Sequence, residues 1–247
     1  MQRRGLRVRD PRCLAAGRAI ASTAGAAVEV CWTDLDAFSG PTGELLALLD
    51  APERARADRY RFERDRRRFI LRRGVLRVLL AQRSGGAPAR LRFARGACGK
   101  PALHGTDLRF SGSHSHGVAL YAFAWDVELG CDIERQDGRI DVADTARASF
   151  ASGELAEMER LPPGRRQAGF FRCWTRKEAY VKALGLGLLH EPNGFDTSSS
   201  DGDMAGWSIE SFELRPFYHA AVAARGESMD VTLRRGTVDA AVGWSPG

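Results

Sequence analysis

Two helical segments dense in charge, Pro52–Leu80 and Gln167–Leu184, constrain this chain more than any other feature. Short β-rich runs lie before and after each in the chain, the second following a further helical stretch, and an amphipathic helix must bury its apolar side on a neighbouring element. In the first, Phe62, Phe69, Leu76 and Leu80 recur on one side, while Arg56, Arg59, Arg66 and Arg73 point elsewhere; the segment reads as one long helix or a helix pair. Gly85, Gly86 and Pro88 break it, and Gly185 and Gly187 suit a left-handed cap on the second. The β-rich runs are Val28–Trp32, Leu108–Phe110, Val118–Trp125, Val127–Glu134, Trp207–Leu214, Tyr218–Ala224 and Met229–Leu233, with another strand starting at Leu91–Phe93. A further helical stretch runs from Val142 through Arg160 to the Pro162-Pro163-Gly164 break, and Thr197–Gly202 is a polar loop. This order predicts an α+β fold of two similar lobes, residues 28–126 and 127–247, following a loose leader over residues 1–27.

No uninterrupted apolar stretch approaches the roughly 18 residues of a membrane helix, which excludes that class. A formal charge of +6 favours an anionic partner. Ten arginines between Arg54 and Arg73, interleaved with Tyr60, Phe62 and Phe69, raise nucleic acid as one candidate. Glu53, Asp58, Glu63 and Asp65 weaken the single-sign field such binding needs, so no nucleic acid is expected. Cys13, Cys31, Cys98, Cys131 and Cys173 are odd in number and lack C-x-x-C spacing, which argues for a reducing cytoplasm over a disulfide framework or a cysteine zinc site. The leader is rich in Arg and Ala, but Arg18 interrupts its apolar part, so it is a poor secretory signal, with an organellar transit peptide the alternative.

Three local patterns can carry chemistry. Asp132 and Glu134 lie two apart in a strand-like run, so both carboxylates face one side at about 6.6 Å along the strand, a spacing a shared hard cation resolves. The bland alternative is an exposed strand face. Glu178 and Lys182 are four apart in WTRKEAYVK and share a helical face, either as a surface ion pair or as a third carboxylate and an ammonium for a metal–diphosphate site. The run Ser111 to Gly117 (SGSHSHG) supplies hydroxyls, imidazoles and flexible backbone able to hydrogen-bond phosphate oxygens. It fits no G-x-S-x-G register, and His114 with His116 lacks the further ligands of a zinc site. Gly99-Lys100-Pro101 is not a Walker A loop, because Ala94 and Pro101 stand where Gly and Ser or Thr belong.

Taken together, GKP at Gly99–Pro101, FSGSHS at Phe110–Ser115, GCDIE at Gly130–Glu134 and FFRCWTRKEAYVKALGLGL at Phe170–Leu188 resemble, in order and spacing, the long two-lobed 4′-phosphopantetheinyl transferases of the Sfp type. Weaker similarity covers the arginine-rich helix, ASFASGE at Ala148–Glu154 and PFYHAAVAA at Pro216–Ala224. The resemblance implies a pseudo-dimer of two α+β lobes with coenzyme A in the cleft between them. It implies magnesium, with manganese an alternative, on Asp132, Glu134 and Glu178, and Lys182 on the diphosphate. Ser113 and His114 are expected at the 3′-phosphate of coenzyme A, Lys100 at the nucleotide, and Arg56 and Arg68 as further 3′-phosphate contacts. The chain departs from the family pattern at Ser111, Gly112 and His116.

The implied reaction transfers 4′-phosphopantetheine from coenzyme A to a serine of an acidic apo carrier protein. Magnesium and Lys182 neutralise the diphosphate, and Glu178 takes the serine proton directly or through a water. A monomer with one site is expected. A non-catalytic coenzyme A or nucleotide-binding module is the rival, which the full set of three carboxylates argues against.

Overall fold

The computed structural model describes residues 25–96, 99–185, 192–198, 204–238 and 244–246. The expected leader to residue 24, Gly187 and most of the 197–202 loop lie outside the described residues. The first half contains β1 (Ala26–Asp34), α1 (Gly43–Leu48), α2 (Ala51–Asp58), α3 (Glu63–Ser84), β2 (Phe93–Arg95), β3 (Pro101–Leu103), β4 (Leu108–Ser115) and β5 (Val118–Trp125). The second contains β6 (Leu129–Arg135), α4 (Val142–Ser149), α5 (Ser152–Arg160), α6 (Arg166–Leu184), β7 (Trp207–Arg215), β8 (Tyr218–Arg225), β9 (Met229–Val238) and β10 (Trp244–Pro246). Among the described residues, no helix is long and apolar enough to cross a membrane.

The strands form a five-stranded sheet in the order β10-β9-β1-β5-β4, a three-stranded sheet in the order β6-β8-β7 and the ribbon β2-β3. In both larger sheets a strand and its helices precede a hairpin, and the first strand pairs antiparallel with the hairpin's second strand: β1 with β5, and β6 with β8. β9 crosses the boundary drawn at residues 126 and 127, returning to pair parallel with β1.

Strand alternation builds the layers. Val28, Val30 and Trp32 of β1, with Val118, Leu120 and Ala122 of β5, pack against Leu129, Cys131 and Ile133 of β6 and Val222 of β8. Cys31, Ala119, Tyr121 and Phe123 face the opposite way, onto Phe69, Leu76 and Leu80 of α3. Ala179 and Ala183 of α6 cover Ala221 and Ala223 of β8. The order is therefore helix, sheet, sheet, helix.

Several expected boundaries shift. The Pro52–Leu80 segment is a helix pair, with Asp50 capping α2 by accepting from the Glu53 N–H at 2.9 Å and Arg59–Phe62 separating it from α3. Phe62 stands outside α3 and is 59% exposed, so the buried stripe starts at Phe69. The 142–160 stretch breaks at Phe150 and Ala151 into α4 and α5. Gly185 ends α6 with φ +72°, the left-handed conformation that glycine adopts without a Cβ clash.

Candidate active site

The two larger sheets meet along their edge strands, β4 and β6, where serine hydroxyls make the junction. Ser111, Ser113 and Ser115 alternate on one face of β4. Ser111 Oγ accepts from the Cys131 N–H at 3.0 Å, and Ser115 Oγ accepts from the Arg135 N–H at 3.0 Å. Ser113 Oγ donates to Asp132 Oδ1 at 2.7 Å, and Ser115 Oγ donates to Glu134 Oε2 at 2.8 Å. The departure at Ser111 thus becomes one stitch in this seam.

Helix α6 lies close on β6 because Gly130 has no side chain. A Cβ there would sit 2.2 Å from the Ala179 carbonyl oxygen and 2.3 Å from the Ala183 nitrogen. The helix is also tethered from inside. Lys177 Nζ donates to Glu154 Oε2 at 2.6 Å and to the Phe195 carbonyl at 2.6 Å, while Glu154 Oε1 accepts from the N–H and hydroxyl of Thr197 at 2.9 and 2.7 Å. Both charged partners are buried. Lys177 and Glu154, in the matched motifs but given no role from sequence, therefore fix the turn that carries Glu178.

Asp132 is 2% exposed. Its Oδ1 accepts from Ser113 and Lys182, and its Oδ2 is buried with no hydrogen-bond partner. Lys182 pairs with Asp132 and not with Glu178, which removes the surface-pair account of the i,i+4 spacing. Burial alone would lower the Lys182 pKa, but the charge and hydrogen bond of Asp132, with Cys131 and Glu178 adding to them, together raise it above its ordinary range. Burial pushes Glu134 up to about 7, with repulsion from Asp132 adding to it, and Glu178 is raised by burial and then by Asp132. Among the described residues, no three His, Cys, Asp or Glu side chains already converge as a metal cluster. The donor chemistry nevertheless fits a hard cation: three oxygen donors that repel one another as anions, and one buried carboxylate oxygen without a partner.

His114 lies on the other face of β4 with Gly112, both exposed, and the exposed His116 follows in the turn after the strand. Ser113 and His114 therefore do not present their side chains to a common point, since Ser113 is engaged between Asp132 and Lys182. The surrounding protein desolvates the His114 ring and, with Arg72, Lys182, Arg56 and Arg68, pushes its pKa down to about 4, so it is neutral at pH 7. Arg68 is held by Asp36 through a bidentate ion pair. Arg56 lies 5.4 Å from the Phe69 ring centroid. Lys100 donates to Glu128 Oε2 at 2.7 Å and to the Ala183 carbonyl at 2.8 Å, tying it to the last turn of α6. The charge of Arg72 also lowers the His114 pKa, and Arg72 was not singled out from sequence; its spacing of four from Arg68 on α3 was the available signal.

The family model for the 4′-phosphopantetheinyl transferase superfamily matches residues 128–223, spanning Asp132, Glu134, Glu178 and Lys182. The chain is similar to the 4′-phosphopantetheinyl transferase HetI of Nostoc sp., 37% identical over 158 residues, which cover 62% of this chain and 67% of that protein. It is 43% identical over 110 residues to the 4′-phosphopantetheinyl transferase AcpT of Salmonella typhi, covering 44% of this chain and 56% of AcpT. Similarity to the 4′-phosphopantetheinyl transferase psf-1 of Bacillus pumilus is lower, 29% over 192 residues, but spans 74% of this chain and 81% of the relative.

Proposed function

We infer that this chain, which belongs to the 4′-phosphopantetheinyl transferase superfamily, moves the 4′-phosphopantetheine arm of coenzyme A onto a serine hydroxyl of an apo carrier protein. The observation that carries this reading is Asp132: a buried carboxylate bonded to Ser113 and Lys182, with one oxygen unpartnered and two further acids beside it. Asp132, Glu134 and Glu178 would hold magnesium, or manganese in its place, which when bound neutralises phosphate charge.

Lys182 is kept protonated by Asp132 and meets the negative charge of the coenzyme A diphosphate. Glu178 is half-buried with a raised pKa, which makes its carboxylate a stronger base than an exposed glutamate, and it takes the proton of the carrier serine. The serine oxygen bonds to the phosphorus bearing pantetheine, the bond from that phosphorus to the bridging oxygen breaks, and 3′,5′-ADP leaves with the electron pair. No nucleophile from this chain is required.

The reading extends to a cytoplasmic, monomeric pseudo-dimer of lobes 28–126 and 127–247, binding coenzyme A between them and an acidic carrier. The matching strand orders 1-5-4 and 6-8-7 support the two-lobe part. The basic net charge supports the carrier's sign. Intact-mass measurement of an apo carrier incubated with chain, coenzyme A and magnesium tests the reaction. A gain of one phosphopantetheine is expected, and an unchanged mass across acyl, aryl and peptidyl carriers contradicts it.

A further inference from the structure

Lysine side chains hold α6 in its middle and at its end. Lys177 ties the middle from within the second half of the chain, through Glu154 and the Phe195 carbonyl. Lys100, which the sequence places at the nucleotide, ties the end from the first half. Its backbone is fixed in a tight turn, where the Gly96 N–H donates to the Lys100 carbonyl at 2.9 Å and Pro101 follows as the first residue of β3. Its side chain is only 20% exposed, and its ammonium is engaged by protein groups, Glu128 Oε2 at 2.7 Å and the Ala183 carbonyl at 2.8 Å.

Those two partners define a junction. A helix leaves its last carbonyls without partners in the helix itself. At the end of α6 the Gly185 N–H meets the carbonyls of Val181 and Lys182, and Lys100 meets that of Ala183, where a cation also suits the negative end of the helix dipole. The lysine stem packs on the same turn: a Cβ at Gly185 would stand 3.4 Å from both its Cβ and its Cδ. Glu128 immediately precedes β6, and its carbonyl accepts from the Arg225 N–H at the end of β8 at 2.8 Å. One ammonium therefore joins the entry of β6 to the exit of α6. These are the elements that carry Asp132 and Lys182, which pair with each other. Lys182 directly precedes Ala183, and its Nζ also donates to Ser113 Oγ at 3.1 Å, so a shift of this turn would draw its ammonium off both acceptors.

We propose that Lys100 is a positioning residue for Lys182, fixing the last turn of α6 against the start of β6, and that its ammonium is not a nucleotide contact. The inference rests on the transferase reading above, in which Lys182 meets the diphosphate, and it gives the first half of the chain a part in the chemistry of the second. A misplacement of about 1 Å costs on the order of 10²-fold in rate, so loss of this junction acts on turnover. Loss of a nucleotide contact would act on ground-state affinity instead.

Single-turnover transfer to an apo carrier that wild type modifies, with calorimetric titration of 3′,5′-ADP, tests this. Lys100→Met should lower the transfer rate about 10- to 100-fold and leave affinity for 3′,5′-ADP within about twofold of wild type. Lys100→Arg keeps the charge and the donors and should recover most of the rate. Arg109→Gln removes the other cation beside Glu128, 3.5 Å away, and should transfer as wild type does. In a Lys182→Met background Lys100→Met should cost little more, because it acts through that lysine. Thermal melting checks folding, and Lys100→Gln takes the place of the methionine variant if that one does not fold. A folded variant that transfers at the wild-type rate, that loses 3′,5′-ADP affinity in step with rate, or that loses the same factor with and without Lys182 overturns the inference. A wild type that modifies no carrier overturns the transferase reading itself.

Discussion

The two faces of β4 carry opposite chemistry. On one, Ser111, Ser113 and Ser115 are buried and their hydroxyls are engaged by β6, where Asp132 and Glu134 accept from Ser113 and Ser115 and the charge of Asp132 reaches Glu178. On the other, Gly112 and His114 are exposed, and the charges of Arg72 and Arg56 act on the His114 ring. One strand thus separates an acidic face from a basic one by the thickness of its backbone. Burial, with like charge nearby adding to it, disfavours the charged form of the titrating group on each face: Glu134 is raised to about 7 and His114 is lowered to about 4. On the proposed reading, coenzyme A would offer its diphosphate to the acidic face and its 3′-phosphate to the basic one.

The largest break in this comparison should come from Asp132→Asn. It weakens the hold on Lys182 and removes the buried carboxylate oxygen that awaits a partner, so turnover should fall about 10³-fold or more. Affinity for coenzyme A should drop far less, because the basic face is untouched. Steady-state kinetics with a parallel binding titration would show the split, and equal losses in both would deny it.

The acidic face also depends on the internal tether of α6. Lys177→Met leaves Glu154 buried without its cation and should cost about 3 to 5 kcal/mol of stability by chemical denaturation. Pairing it with Glu154→Leu should recover much of that loss. Unchanged stability in the single variant would mean the tether does not hold the helix.

On the basic face the effect should be selective and smaller. His114→Ala should raise KM for coenzyme A more than it lowers kcat, by about tenfold, and leave dephospho-coenzyme A nearly unaffected. A similar loss with both donors would remove His114 from the phosphate.

The faintest effect is titration of stability in the metal-free chain, where the faces should run in opposite directions. Glu134 binds its proton more tightly folded than unfolded, so its contribution is lost as pH rises from about 4.5 to 7. His114 binds its proton less tightly folded, so its contribution is lost as pH falls from 6.5 to about 4. Glu134→Gln should therefore gain on wild type with rising pH, and His114→Gln with falling pH. Parallel pH profiles in both variants would argue against two faces of opposite character.

Much of the acidic face was legible in sequence, because it rests on short-range periods. The two-residue repeat sets Asp132 and Glu134 together, and the four-residue repeat sets Glu178 and Lys182 together. The same two-residue period, applied to Ser113 and His114, already separates them, and the structure shows them on opposite faces. What local patterns could not supply depends on contacts distant in sequence. Asp36 is 32 residues from the Arg68 it neutralises, and the return of β9 to β1 joins the two ends of the described chain. The need for Gly130 becomes visible only when α6 rests on it. The helix pair within Pro52–Leu80 was one of two readings that the pattern left open, and the break at Phe150–Ala151 was hidden because the helical pattern resumes on either side of it.

The central claim is that the acidic face performs the transfer and the basic face holds the donor, and Glu178→Gln tests it most directly. The substitution keeps the size of the side chain and one coordinating oxygen but removes the base. Single-turnover transfer to an apo carrier at saturating magnesium and coenzyme A, with thermal melting as a folding control, should show a rate about 10²- to 10⁴-fold below wild type in a folded protein that still binds coenzyme A. A folded Glu178→Gln protein that transfers at the wild-type rate would contradict the account.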